Sequence, residues 1–281
     1  LDPDGVVGRK TLEELDVDAG KRAEQVRVNL ERWRWLPEEL GRRHVRVNIA
    51  AFSLSAMEDG VDVLPMRAVV GRTYRRTPVF SGMMTYLVLN PSWHVPKRLA
   101  VEDKLPEIVG DPGYLAAQRI TVLSGWGADA LVVDPSAVDW SSLGPGNFPF
   151  RLRQEPGPLN ALGRVKFMFP NEFNVYLHDT PARDLFGRTR RDFSSGCVRV
   201  EQPVELALWL LAPDPSWSRE RIGAALATGR EQTVLLPEPV PVHVEYWTAW
   251  VDPNGTPEFR RDLYGRDARV AAALAVAPPH E

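Results

Sequence analysis

Apolar and polar positions along this 281-residue chain repeat with two different periods, and the switch between them divides it. Residues 4–15 hold two turn glycines, Gly5 and Gly8, and then Thr11, Leu12 and Leu15, the pattern of a loop entering a helix. Over residues 18–40, Val26, Leu30 and Trp33 fall at i, i+4 and i+7, which predicts one apolar helical face that Pro37 brings to an end. Past Gly41 the period drops to two: Val45, Val47 and Ile49 alternate with Arg46 and Asn48, as on the two faces of a strand. Glu58-Asp59-Gly60 reads as the turn of a hairpin between residues 49–55 and 61–70, and a further strand is predicted over 85–89.

Residues 90–149 break this rhythm with scattered prolines, a short helical piece over 101–108 and three tryptophans, Trp93, Trp126 and Trp140, and read as an inserted subdomain ordered by its aromatics. Strand patterning resumes over 165–169. After a turn at Asn171-Glu172 it continues through 173–177, with Phe173, Val175 and Leu177 on the core face and Asn174, Tyr176 and His178 facing a polar cleft. An apolar helix is predicted over 203–212, with Pro203 at its start, and a second one runs from Ser216 or Ser218 to Gly229. Strands over 233–236 and 242–251 precede an Asn254-Gly255 hairpin turn leading into 258–263, and the chain after Asp267 reads as a loose terminus.

Composition narrows the function classes. The 34 Lys and Arg against 37 Asp and Glu leave a net charge of −3, which excludes a basic, nucleic-acid-type protein. Twenty-five prolines argue against a long-helix bundle. The longest apolar run, residues 270–277, falls far short of the ~20 residues that span a bilayer. The chain opens on Leu1-Asp2-Pro3-Asp4 without a signal-like segment, which suggests a processed form or an excised fragment. One cysteine, Cys197, excludes an intrachain disulfide and a multi-cysteine zinc site, and the five histidines show no metal-ligand spacing, so neither a metal nor a cofactor is expected.

The chemistry concentrates between Tyr176 and Val200. A nucleophilic cysteine needs a base or a positive charge, because a free thiol ionises only near pH ~8.5. His178 supplies a base and Arg199 a charge on the face of Cys197. Gly196 lets backbone approach a bound carbonyl, so that neighbouring N–H groups could form an oxyanion hole, and the small Ser194 and Ser195 would keep that wall open. Each of these residues also has a purely structural reading: Cys197 as a small buried apolar side chain, Arg199 as an ion pair of its loop, Tyr176 as packing beneath the insertion.

The run His178-Asp179-Thr180-Pro181 with Leu185-Phe186, followed by Ser194-Ser195-Gly196-Cys197-Val198-Arg199, resembles the signature of the L,D-transpeptidase catalytic domain of bacterial cell-wall enzymes. Arg72-Thr73 through Thr77-Pro78, Asn90-Pro91-Ser92-Trp93 with Val95-Pro96, Gly157-Pro158 with Asn160-Ala161-Leu162-Gly163, and Tyr246-Trp247-Thr248-Ala249 resemble its large Gram-negative branch. Asp4-Gly5 with Val7-Gly8 and Thr11 is similar to the end of a peptidoglycan-binding module. Many family members carry histidine where this chain has Ser195, which leaves His178 as the candidate base.

The resemblance implies a mainly β (α+β) fold: a mixed β-sandwich catalytic domain over 43–267 with a few helices and a lid inserted at 90–149. A module tail (1–17), a connecting helix (18–42) and a loose tail (268–281) complete the division. It implies Cys197 as nucleophile, His178 as base oriented by a backbone carbonyl at Asp179, and Gly196 and Cys197 N–H groups as oxyanion donors, with Arg199, Tyr176, Ser195 and Ser194 lining the substrate site. The implied partners are peptidoglycan stem peptides in the periplasm and carbapenem β-lactams as covalent inhibitors. A carboxypeptidase or endopeptidase, attachment of a protein to peptidoglycan, and a catalytically silent peptidoglycan-binding protein remain as alternatives. A sortase-like enzyme is disfavoured because its threonine-rich cysteine motif is absent.

Overall fold

The computed structural model describes residues 5–125, 127 and 129–276. Its elements follow the periods of the sequence: α1 (Arg9–Leu15) and α2 (Ala19–Trp33), then β1 (Arg43–Asn48), β2 (Ser53–Glu58), β3 (Val61–Gly71) and β4 (Phe80–Leu89). The insertion holds β5 (Trp93–His94), α3 (Lys97–Leu99), a π-helical segment (Ala100–Lys104), α4 (Leu105–Gly110), α5 (Tyr114–Ala117), β6 (Ile120–Ser124) and β7 (Phe150–Gln154). The chain returns through β8 (Val165–Met168), β9 (Leu177–His178), β10 (Asp192–Ser194) and β11 (Val198–Val200). It finishes with α6 (Pro203–Leu211), α7 (Arg219–Ala227), β12 (Gln232–Glu245), β13 (Ala249–Val251), β14 (Pro257–Phe259) and α8 (Asp267–Ala275).

The fold is mainly β, built on one nine-stranded mixed sheet of order β10-β3-β11-β9-β8-β4-β12-β1-β2. An additional β2–β3 pairing closes the sheet on itself. Two long strands turn its corners. The first half of β3 pairs with β2 and its second half with β11 and β10, while β12 pairs with β4 along its length and with β1 through Val242 to Glu245. The register of β12 slips between Leu235 and Val240, where Pro237 and Pro239 cannot donate ladder hydrogen bonds, so the strand expected over 233–236 and the first part of that expected over 242–251 form one strand with a bulge, while the end of the latter is β13 of a separate hairpin. The inward-facing Val45, Val47, Leu87, Phe167, Leu177, Val198 and Val242 are buried together, and α6 adds Leu206, Leu210 and Leu211 to the same core.

The insertion is a separate layer with its own three-stranded sheet, β5-β7-β6, and its own core of Trp93, Val95, Leu105, Ile120, Phe148 and Leu152. Its sheet requires β7, so the subdomain runs past the expected boundary at 149. Trp93 is buried and Trp140 packs at the edge of this core; Trp126 lies outside the described residues.

Three expectations are corrected. The helix over 19–33 forms, capped by the Asp18 carboxylate on Lys21 N–H, but Val26, Leu30 and Trp33 are 40, 61 and 44% exposed while Val28, Asn29 and Arg32 are buried. Around Val28, and beside a Trp33–Trp247 stack, its docking contacts are largely polar. Gln25 Nε2 donates to the carbonyls of Thr248 and Arg260, both at 2.8 Å; Asn29 brackets Thr248; and Arg32 pairs with Asp267 at 2.7 Å. Asp267 belongs to the second correction, since the stretch expected to be loose forms α8 against α2. Thirdly, residues 173–176 are not a strand: Asn171 bonds the carbonyls of Phe169 and Val175 and accepts from the N–H groups of Phe173 and Val175, and Asn174 sits at φ +53°. These bonds wind a loop where the alternation had suggested extended chain, and Phe173 is exposed rather than in the core.

Candidate active site

Three neighbouring strands set a row of polar residues across the sheet. In the β9–β11 parallel pair Arg199 lies opposite His178, and in the β8–β9 antiparallel pair Lys166 lies opposite His178. Directly paired residues share a face, so the imidazole stands between two cationic side chains. His178 is buried, and its Nδ1 lies 2.5 Å from the backbone carbonyl of Asp179. A carbonyl only accepts, so Nδ1 carries the proton and Nε2 keeps its lone pair. Burial, then the Arg199 charge and that of Lys166, push His178 down to about 3 against the pull of the Asp179 carbonyl, so the ring is neutral at physiological pH.

The cysteine follows a tight bend. Gly196 adopts φ +121°, a region that a side chain strains, and the bend is tied from within. Ser194 Oγ donates to Cys197 O at 2.5 Å and accepts from Gly196 N–H at 3.1 Å, and Thr77 Oγ1 donates to Gly196 O at 2.8 Å. A second tie reaches β3, where Gly71 N–H donates to Thr77 Oγ1 and Tyr264 OH donates to Gly71 O. A Cβ on Gly71 would meet Arg75 O at 2.2 Å, so this close approach requires glycine.

Cys197 is half-buried, with Sγ 3.9 Å from Asn174 O. Burial pushes its thiol up, while hydrogen bonds from the Tyr176 amide and hydroxyl and the charges of Lys166 and Arg199 oppose that rise. The balance describes a thiol that needs a base and a pocket already equipped to receive its negative form. Tyr176 is the bridge: its ring centroid lies 5.7 Å from that of His178, and its body packs on both cores.

The other sequence candidates take definite places. Arg199 is half-buried, its Nε lacks a partner, and no ion pair engages it among the described residues. Ser195 is exposed, its Oγ accepting from Arg75 at 3.0 Å. Ser194 is buried with its hydroxyl committed to the bend, which removes it from the open wall where it was expected. Gly196 N–H is likewise occupied by Ser194. The Asp179 carboxylate turns away, accepting from Arg164 N–H at 2.9 Å and pairing with Arg183 at 3.2 Å; its carbonyl alone serves the imidazole. Gly163 makes room for that carboxylate, which a Cβ would meet at 2.4 Å.

Two residues of the site escaped the sequence reading. Lys166 belongs to a strand whose apolar alternation drew attention to Val165 and Phe167 instead, and its register with His178 appears only once the strands pair. Arg75, in the loop after β3, reaches the insertion, bonding Asp103 through both carboxylate oxygens at 2.6 Å and Glu102 at 2.7 Å. Among the described residues no cluster of three or more His, Cys, Asp or Glu converges as a metal site, and no helix is long and apolar enough to cross a membrane.

Residues 42–242 match the family model YkuD, the L,D-transpeptidase catalytic domain. A Haemophilus influenzae protein named "Putative L,D-transpeptidase" is 38% identical over 250 residues, covering 89% of this chain and 49% of that protein, so the chain spans about half the length of this relative. Among solved structures, Mycobacterium tuberculosis L,D-transpeptidase 3 in complex with a faropenem-derived adduct aligns at 14% identity and TM-score 0.35, over 73% of this chain and 60% of the other. An L,D-transpeptidase from Mycobacterium smegmatis aligns at 13% and 0.31, over 73% and 58%. On the family match, which spans most of its length, the chain belongs to the YkuD family of L,D-transpeptidase catalytic domains.

Proposed function

We propose that this chain cross-links peptidoglycan stem peptides through a thioester on Cys197. The observation that carries the reading is the pairing of β9 with β11. It sets a neutral His178, with Nε2 free to accept, beside the strand that follows Cys197. In this mechanism Cys197 Sγ bonds to the carbonyl carbon at the L-centre of the third, diamino acid residue of a tetrapeptide donor. The thiol proton passes to His178 Nε2 and on to the departing amine, and the amide bond to the terminal D-alanine breaks. Cys197 N–H steadies the oxyanion. The amine of a second stem then attacks the thioester, His178 takes its proton, and the C–S bond breaks.

The insertion packs against the site through Tyr176 and Trp93, which supports its reading as a lid that keeps water from the thioester. Substrate of this kind carries the location with it: the periplasm of a Gram-negative envelope. In the same reading residues 1–17 close a peptidoglycan-binding module.

Intact mass after incubation with a carbapenem, beside a Cys197→Ala control, tests the nucleophile. An adduct in the parent alone is expected, and its absence from folded, reduced protein overturns the mechanism. Incubation with a tetrapeptide donor and an amine acceptor then separates cross-linking from hydrolysis. A dimer with release of D-alanine is expected, whereas release without a dimer marks a carboxypeptidase.

A further inference from the structure

Lys166 presents a charge without an anion. Its side chain is half-buried on β8, and its Nζ lies over the Tyr176 ring, 4.1 Å from the centroid. No ion pair or side-chain hydrogen bond ties it to a carboxylate among the described residues. The acidic group whose charge reaches it from outside the site, Glu231, is engaged at the Ser92 amide. The other charge it feels is that of Cys197. Across the row stands Arg199, its Nε buried without an acceptor. Keeping a cation partly desolvated with no counter-charge is costly, and a fold that does so beside a nucleophile is arranged for an anion brought by the ligand.

The reaction proposed above supplies one at the right place. In a donor whose leaving group is a terminal amino acid, the free α-carboxylate stands three bonds from the attacked carbon, about 3–4 Å away. It must therefore lie in the immediate surroundings of the sulfur. We propose that Lys166 is the anchor for this terminal carboxylate, and that it selects donors in which the residue just past the scissile carbonyl ends the chain. A longer stem would put an uncharged amide against the ammonium and leave it unpaired. Arrival of the carboxylate also neutralises charge beside His178, which restores proton affinity to the imidazole at the moment it is needed. The inference rests on the acyl-transfer reading of the site.

The test compares a tetrapeptide donor with its C-terminal carboxamide in the parent chain, in Lys166→Gln and in Lys166→Arg, with iodoacetamide alkylation of Cys197 measured alongside. The parent should favour the free acid. Lys166→Gln should lower kcat/KM for the acid roughly 10–100-fold further than for the carboxamide, which erases the preference, and Lys166→Arg should restore much of it. Alkylation, which needs the thiolate but no carboxylate, reads the lysine's effect on the sulfur alone and should slow by no more than the carboxamide reaction does. A preference that survives in Lys166→Gln overturns the anchor, whether alkylation falls, which would mark a lysine acting on the thiolate, or holds. A parent chain that alkylates normally but turns over neither peptide refutes the acyl-transfer reading itself and the anchor with it.

Discussion

His178 is held neutral by its place rather than by its sequence neighbours. Its folded value of about 3 lies below the ~6.5 of a free imidazole, so as the pH falls below ~6.5 the unfolded chain takes up a proton that the folded one refuses. The stability tied to this residue is therefore complete above pH ~6.5 and is lost progressively toward pH 3. Melting curves at pH 7.5 and pH 5 should show the parent losing more stability than His178→Gln over that interval. Equal losses would mean that the imidazole is not refusing the proton. Burial likewise keeps His44, His94 and His243 low, so the variant flattens the acid slope without abolishing it.

Between elements, the decisive contacts are polar where the sequence pattern pointed to apolar ones. Arg32 and Asp267 tie α2 to α8 with the arginine side chain only 4% exposed, and removal of one partner strands the other charge. Asp267→Ala should cost about 3–5 kcal/mol in urea unfolding, and the pair Arg32→Met with Asp267→Leu should recover most of it; a single variant within ~1 kcal/mol of the parent would show the pair to be idle. The same contacts explain what could be read beforehand. The period-two stretch at Val45 to Ile49 and the turn at Asp59-Gly60 gave themselves away because one face of each strand meets a dry core. The buried face of α2 did not, since Gln25 donates to the Thr248 carbonyl and Asn29 accepts from the Thr248 N–H, some 220 residues away, and no local period records that. At the site, Cys197, His178 and Gly196 were visible as a linear motif. The bonds that Ser194 and Gly196 N–H make within the bend were not visible, because such a hydrogen bond leaves no trace in composition, and Lys166 was invisible because strand register is a long-range property.

In the whole molecule the two cores meet along a seam, and Arg75 is its clasp. Its side chain is 7% exposed and joins Ser195, two residues before Cys197, to Asp103 and Glu102 in the π-helical segment of the insertion. The nearby charges hold both carboxyls below the usual carboxylate range and Arg75 above its own. Asp103→Asn should loosen the insertion while sparing the large sheet. Hydrogen exchange in residues 97–110 should quicken about tenfold or more, with the amides of β4 and β12 unchanged. Uniform acceleration throughout would instead show that the two layers open as one.

The contacts of α2 also decide how the molecule responds to being pulled. Traction arriving from ahead of residue 5 meets the Arg261 pairs with Glu13 and Glu14 first, and then the Gln25, Asn29 and Arg32 attachments to residues 248, 260 and 267, all before it reaches β1. These attachments lie outside the strands that frame Cys197 and His178. Under such a load α2 should come away from the surface before the large sheet opens, which a pulling experiment would read as a small early step ahead of the main unfolding event.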